Sequence, residues 1–187
     1  MNVSSNFTTQ NQLLLNNLMH FYKNEEYLMR MLKIITGESK ISLRIVDWFV
    51  TNYAKKNYTL YTINNNTSLG RFKVYFDYKL KLKAYSKKRF DPFCRWERIS
   101  VPYKNDTSIE TTIGQLNFFK WALENNVIDY IEENYEEIEK DMNSRNSTSK
   151  KKELSDSSKT RKKREELSIS ATKSVKKEEV EIVVQFY

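Results

Sequence analysis

The sequence is short of nearly everything that marks a catalytic or a cross-linked protein. It has one cysteine, Cys94, so no disulfide can close within the chain, and one histidine, His20, so no His/Cys set for a structural zinc site can be assembled. Three glycines and two prolines leave neither a glycine-rich phosphate loop nor a serine-nucleophile turn. No window approaches the ~20 apolar residues that a membrane helix needs. The opening MNVSSNFTTQNQLLLNNL has neither a basic start nor a long apolar run, which argues against a secretory signal. Together these absences point to a reducing compartment, no membrane insertion, no metal, no cofactor and no enzyme.

What is abundant is positive charge and aromatic area. Lys+Arg 32 against Asp+Glu 24 gives a net charge of +8, and the sequence pI of about 9.3 favours an anionic partner, nucleic acid or a membrane surface. Composition changes after Met142. Residues 145–187 hold twelve Lys/Arg and seven Asp/Glu, with many Ser and Thr and hardly an apolar residue before Val180. The expected organisation is a folded domain over 1–142, carrying +3 of the net charge, and a disordered Lys/Ser-rich tail over 143–187 with an apolar end.

Helical spacing of apolar residues predicts a first helix after Thr8 or Thr9. A second runs from Asn24, with Glu25 and Glu26 at its positive end, to Gly37 as terminator. A third starts at Ser39 or Ser42, buries Ile45, Val46, Phe49, Val50 and Tyr53, and ends at Lys55-Lys56-Asn57. Tyr58–Ile63 reads as a strand, followed by a polar loop from Asn64 to Gly70 that is long for a tight turn. Trp96–Val101 reads as another strand before Pro102. Thr111 or Thr112 caps a helical region reaching Ile138, which Asn125-Asn126 either kinks or restarts. The fold class is therefore α+β: N-terminal helices, a small antiparallel sheet of three or four strands, C-terminal helices and a basic tail.

The most suggestive stretch lies between Arg71 and Lys88. Phe72, Val74, Phe76, Tyr78, Leu80, Leu82 and Ala84 alternate with Arg71, Lys73, Tyr75, Asp77, Lys79, Lys81, Lys83 and Tyr85. In a strand such alternation sorts apolar side chains to one face and basic ones to the other. Lys73, Lys79, Lys81 and Lys83, interleaved with Tyr75, would then offer charge to phosphates and rings to bases. The alternative is a half-buried strand whose lysines only guard a sheet edge. Across 71–104 there are eleven Lys/Arg against three Asp/Glu.

A loop from Arg89 to Arg98, RFDPFCRWER, extends the basic tract begun by Lys87 and Lys88. Arg95 and Arg98 can grip phosphates while Phe93 or Trp96 stacks a base. The structural alternative is a plug, its aromatics buried and Asp91 paired to an arginine. Cys94 has no companion base in sequence, and the carboxylates Glu132, Glu133, Glu136, Glu137 and Glu139 read as a solvated helix face.

In the tail, Lys150-Lys151-Lys152 and Lys159-Thr160-Arg161-Lys162-Lys163-Arg164 are blocks that suit nucleic acid, nuclear import or plain solubility. The last eight residues, Val180–Tyr187, are apolar and β-branched, and can add as a strand to a sheet edge of the chain itself or of a protein partner.

Three runs, SLRIVDWFVTNY (42–53), RFDPFC (89–94) and TTIGQLNFFKWA (111–122), carry a resemblance. Over about residues 40–142 the chain resembles an uncharacterised protein family of large nucleocytoplasmic DNA viruses of the mimivirus-like kind. The resemblance implies a viral source and action in the host cytoplasm, at the viral factory, or in the virion; it brings no activity and no catalytic residue. The resulting expectation is a non-enzymatic viral protein that binds DNA or RNA without sequence preference through Lys73, Tyr75, Lys79, Lys81, Lys83, Lys87, Lys88, Arg89, Arg95 and Arg98, helped by the tail. The other expectation is a protein-interaction or scaffold component of the virion or viral factory.

Overall fold

Local signals in the sequence set most helix boundaries. The structure, a computed structural model, describes residues 10–65, 68–102 and 108–153. α1 spans Gln10–Phe21, and α2 spans Glu25–Thr36, where Asn24 accepts from the Glu26 N–H and Gly37, at φ +80°, closes the end. α3 spans Leu43–Trp48 under a Ser42 cap, continues through a π-helical turn, Phe49–Tyr53, and ends in the single turn α4, Ala54–Lys56. The expected caps Thr8 and Thr9 lie outside the described residues.

β1 (Leu60–Asn65) and β2 (Ser68–Lys73) pair antiparallel, Leu60 opposite Lys73 and Asn65 opposite Ser68. Only two residues separate them, so the loop expected from Asn64 to Gly70 is mostly strand. Then comes the principal correction: α5, Val74–Arg89, is a helix where alternation predicted a strand.

The physical reason is that alternation is ambiguous. At 100° per residue, every second position separates into two sets spaced by four: Val74, Tyr78 and Leu82 turn inward, while Phe76, Leu80 and Ala84 turn outward. Lys, Leu and Ala are also good helix formers. A strand from 71 to 85 would span about 50 Å, longer than a domain of this size can cover on its apolar face.

With no strand past Lys73, the single sheet that was expected cannot form. β3 (Arg98–Pro102) instead pairs with β4 (Ser108–Thr112) in a second two-stranded sheet. Thr112 caps α6 (Ile113–Glu124), which is buried almost all round, from Gly114 to Phe119 and from Trp121 to Leu123. α1, α2, α5, β4 and α7 (Val127–Glu133) all pack on it. Asn126, at φ +53°, turns the chain between α6 and α7, so the pair of asparagines restarts the helix. α8 (Tyr135–Glu153) buries Ile138 and Met142 and is tied to α3 by Trp48 Nε1, which donates to Asp141 Oδ2 at 3.0 Å. Met142 is the last buried residue among those described, and α8 itself continues past it to Glu153. The tail beyond 153, with the Val180–Tyr187 segment, lies outside the described residues.

Candidate functional site

Two buried amides on α6 position the basic region. Gln115 donates from Nε2 to the Pro92 carbonyl at 2.8 Å, and Asn117 donates from Nδ2 to the Arg89 carbonyl at 2.9 Å. The chain from 88 to 90 lies so close to Gly114 that a Cβ there would come within 3.0 Å of the Lys88 carbonyl oxygen. At the other end of α5, Trp121 Nε1 donates to Asp77 Oδ1 at 2.6 Å, and Tyr78 and Phe90 join Phe118 and Trp121 in one aromatic cluster. Asp77 and inward-facing Tyr78 thus anchor α5 on α6, with Val74 buried beside them, and the opposite face is left to solvent.

That outer face carries Phe76, Lys79, Leu80 and Lys83, spaced by three and four residues and all exposed. Phe76 is 50% and Leu80 65% exposed. Neither Lys79 nor Lys83 makes an ion pair among the described residues, and the same holds for Lys73, Lys87 and Lys88. Three acidic residues of α7 and α8 are engaged elsewhere: Asp129 and Glu132 pair with Arg30, and Asp141 pairs with Lys56 at 2.5 Å.

A cleft of about 230 Å³ opens at the start of α5. Ala54 and Lys55 from α4, Tyr58 and Thr59 after it, and Lys73, Tyr75 and Phe76 around the start of α5 line the cleft. Tyr58 meets Phe76 edge to face at 5.8 Å, and the Lys55 ammonium sits 5.6 Å above the Tyr75 ring. Tyr58 occupies the position just after the helix end where glycine is customary, at φ +51°. A second cleft of similar size lies at the far end of α5, lined by Lys88, Arg89, Trp96, Glu97 and residues of α1.

The ten residues expected to bind divide into three groups. Lys73, Lys79, Lys83, Lys87 and Lys88 are exposed; Tyr75 and Lys81 are half-buried, Tyr75 beneath Lys55. Arg89, Arg95 and Arg98 are each held by a neighbour: Arg89 donates to Gln10 Oε1 at 3.2 Å, and Arg98 pairs with Glu110 at 3.0 Å. Arg95 makes a two-pronged pair with buried Asp91, at 2.8 and 2.5 Å, and its guanidinium lies over Phe93. The loop therefore follows the plug alternative at Phe93, Asp91 and Arg95, while Trp96 stays 44% exposed. Sequence reasoning missed Lys55, Tyr58, Phe76 and Leu80. The signal for two of them, Phe76 and Leu80, was the i, i+3, i+4, i+7 spacing of Phe76, Lys79, Leu80 and Lys83, overlooked because the same stretch also satisfied a period of two.

No nucleophile is assembled with a base among the described residues. Burial pushes the Cys94 thiol above its ordinary value, away from the reactive thiolate. Asp47 is raised to about 6, chiefly by burial and next by the charge of Asp91, with Arg95 and Lys87 opposing the shift. Neither Asp47 nor Asp91 lines either cleft. Among the described residues no group of three or more His, Cys, Asp or Glu side chains could hold a metal, and no helix is long and apolar enough to cross a membrane.

Comparison with known proteins gives a family and a relative. Residues 1–185 match the Family of unknown function (DUF7197). The chain is 42% identical over 172 residues to the uncharacterized protein L507 of Acanthamoeba polyphaga mimivirus, an alignment covering 84% of this chain and 66% of that protein. The chain thus spans a little under two thirds of the length of this curated relative. No solved structure matches.

Proposed function

We propose, for a chain that belongs to the DUF7197 family of unknown function, that it binds nucleic acid through the outer face of α5. The observation that carries this reading is the set of exposed lysines Lys73, Lys79 and Lys83, without an ion pair among the described residues, beside exposed Phe76, with Lys87 and Lys88 exposed beyond the helix break at Ser86. The basic face expected from a strand is replaced by a helical one of narrower width. α5 runs about 18 Å from Val74 to Tyr85, enough for a few consecutive phosphates. Lysine ammoniums contact phosphate as point charges and carry no base information, so binding is weakly selective for sequence. The site of action goes with this proposal: the host cytoplasm, at the viral factory, or the virion.

The test is the double charge reversal Lys79→Glu/Lys83→Glu. Each lost phosphate contact lowers the slope of log affinity against log salt by about 0.7 to 0.9, so the pair should flatten the slope by about 1.5. Affinity and slope identical to the parent protein would remove the α5 face from the account.

A second reading, a protein-interaction or scaffold component of the virion or viral factory, is favoured by Leu80. Its side chain is the most exposed large apolar group among the described residues and suits neither phosphate contact nor stacking. Under that reading Leu80→Asp abolishes co-purification of a viral protein partner and leaves nucleic-acid retention intact.

A further inference from the structure

The cleft at the start of α5 differs from the lysine face beside it, because three of its lining residues, Tyr58, Tyr75 and Phe76, are aromatic. A duplex hides the faces of its bases, so an electrostatic surface alone treats single and double strands alike apart from charge density. Exposed aromatic side chains matter only to a polymer with bases free to stack. Here Phe76 is half exposed, and Tyr58, 60% exposed, lies edge-on to it, beside the cations Lys55 and Lys73.

The second, independent observation is the backbone at Tyr58. A bulky side chain at φ +51° is sterically disfavoured, and glycine would close the end of α4 without that penalty. The hydrogen bond from the Thr59 N–H to the Ala54 carbonyl, at 3.1 Å, fixes this turn and with it the direction of the ring. The fold therefore carries backbone strain at a residue whose ring meets Phe76 and is 60% exposed. Strain held at an exposed group is the pattern expected of a contact residue rather than of a core residue.

We infer that this cleft receives an unpaired base of single-stranded nucleic acid, stacked on Phe76 and Tyr58, while Lys55, Lys73 and then Lys79 and Lys83 take the adjoining phosphates. This inference rests on the nucleic-acid reading above and names the form of polymer that reading leaves open. Charge complementarity selects the polymer, and the rings select its unpaired form. DNA and RNA share this chemistry.

The experiment measures fluorescence anisotropy of the full chain with three labelled probes of equal length: a single strand without self-complementarity, the same strand annealed to its complement, and an abasic strand. The expected result is affinity for the single strand about tenfold or more above that for the other two. Phe76→Ala and Tyr58→Gly should each lower single-strand affinity to the abasic level and leave duplex binding unchanged. Tyr58→Gly should also melt at or above the parent temperature, which separates lost contact from lost fold. Equal affinity for all three probes, or ring variants that keep the single-strand preference, would overturn the inference while nucleic-acid binding itself stands. Absence of binding to every probe at low salt would overturn both.

Discussion

Asp47 sits where two demands on a side chain oppose each other. It belongs to the core-facing end of α3, yet its carboxyl is shielded from water and close to a second acid, Asp91, whose charge is already satisfied by Arg95. Its folded-state pKa of about 6 lies above the ordinary value of 3.8, so the folded protein holds an additional proton between about pH 4 and 6. Stability from this group is complete below that window and is lost as pH rises through it, by at most about 3 kcal/mol. Asp47→Asn should therefore raise stability to urea at pH 7.5 and leave it nearly unchanged at pH 4. An Asn variant no more stable at pH 7.5 would show that the carboxylate is better solvated than its surroundings suggest. Asp141 titrates with the opposite sign: Lys56 and Trp48 hold its pKa down, so its contribution is lost as pH falls.

For the elements, α5 is the instructive case, since its sequence satisfies two periods at once. Its helix is interrupted at Ser86, with φ +60° and ψ 168°, a region that side chains other than glycine avoid. This break turns Lys87, Lys88 and Arg89 off the helical path and brings Phe90 back into the core against Phe118. Ser86→Gly should relieve the strain and stabilise the protein by about 1 kcal/mol after the larger chain entropy of glycine is counted. Equilibrium unfolding in urea measures this, and a loss of stability would mean that the serine side chain compensates for its backbone. The candidate surface was legible in the sequence to the extent that charge was: eleven basic residues in 71–104 marked the segment that carries the exposed lysines of α5. Which of them stay free was not legible. Arg95 and Arg98 are neutralised by Asp91 and Glu110, the first four residues away and the second across a strand pair, and only the folded loop and the β3–β4 register bring them together.

The whole molecule is organised around α6. Its side chains reach α1, α2, α5 and α7, and Tyr22 at the end of α1 donates its hydroxyl to the Leu116 carbonyl at 2.8 Å across 94 residues of sequence. Phe118 is the test of that arrangement, being fully buried with Tyr78, Phe90, Phe119 and Trp121 around it. Phe118→Ala should cost about 3–5 kcal/mol, a large part of the stability of a domain this size. A loss under about 1 kcal/mol in urea titration would place the organising centre elsewhere.

By itself the sequence determined the α+β class, the N-cap at Asn24 and the stop at Gly37, and it narrowed the later caps to Ser39 or Ser42 and to Thr111 or Thr112, because each rests on side chains acting within a few residues of their own backbone. The absence of a shared central strand, the burial of α6 on nearly every side and the exposure of Phe76 and Tyr58 were decided only by tertiary structure. An alternating run can bury one face as a strand or a third of its side chains as a helix. The aromatic surface offered by α6 takes Tyr78 from the inward row of α5, and that packing settles the choice.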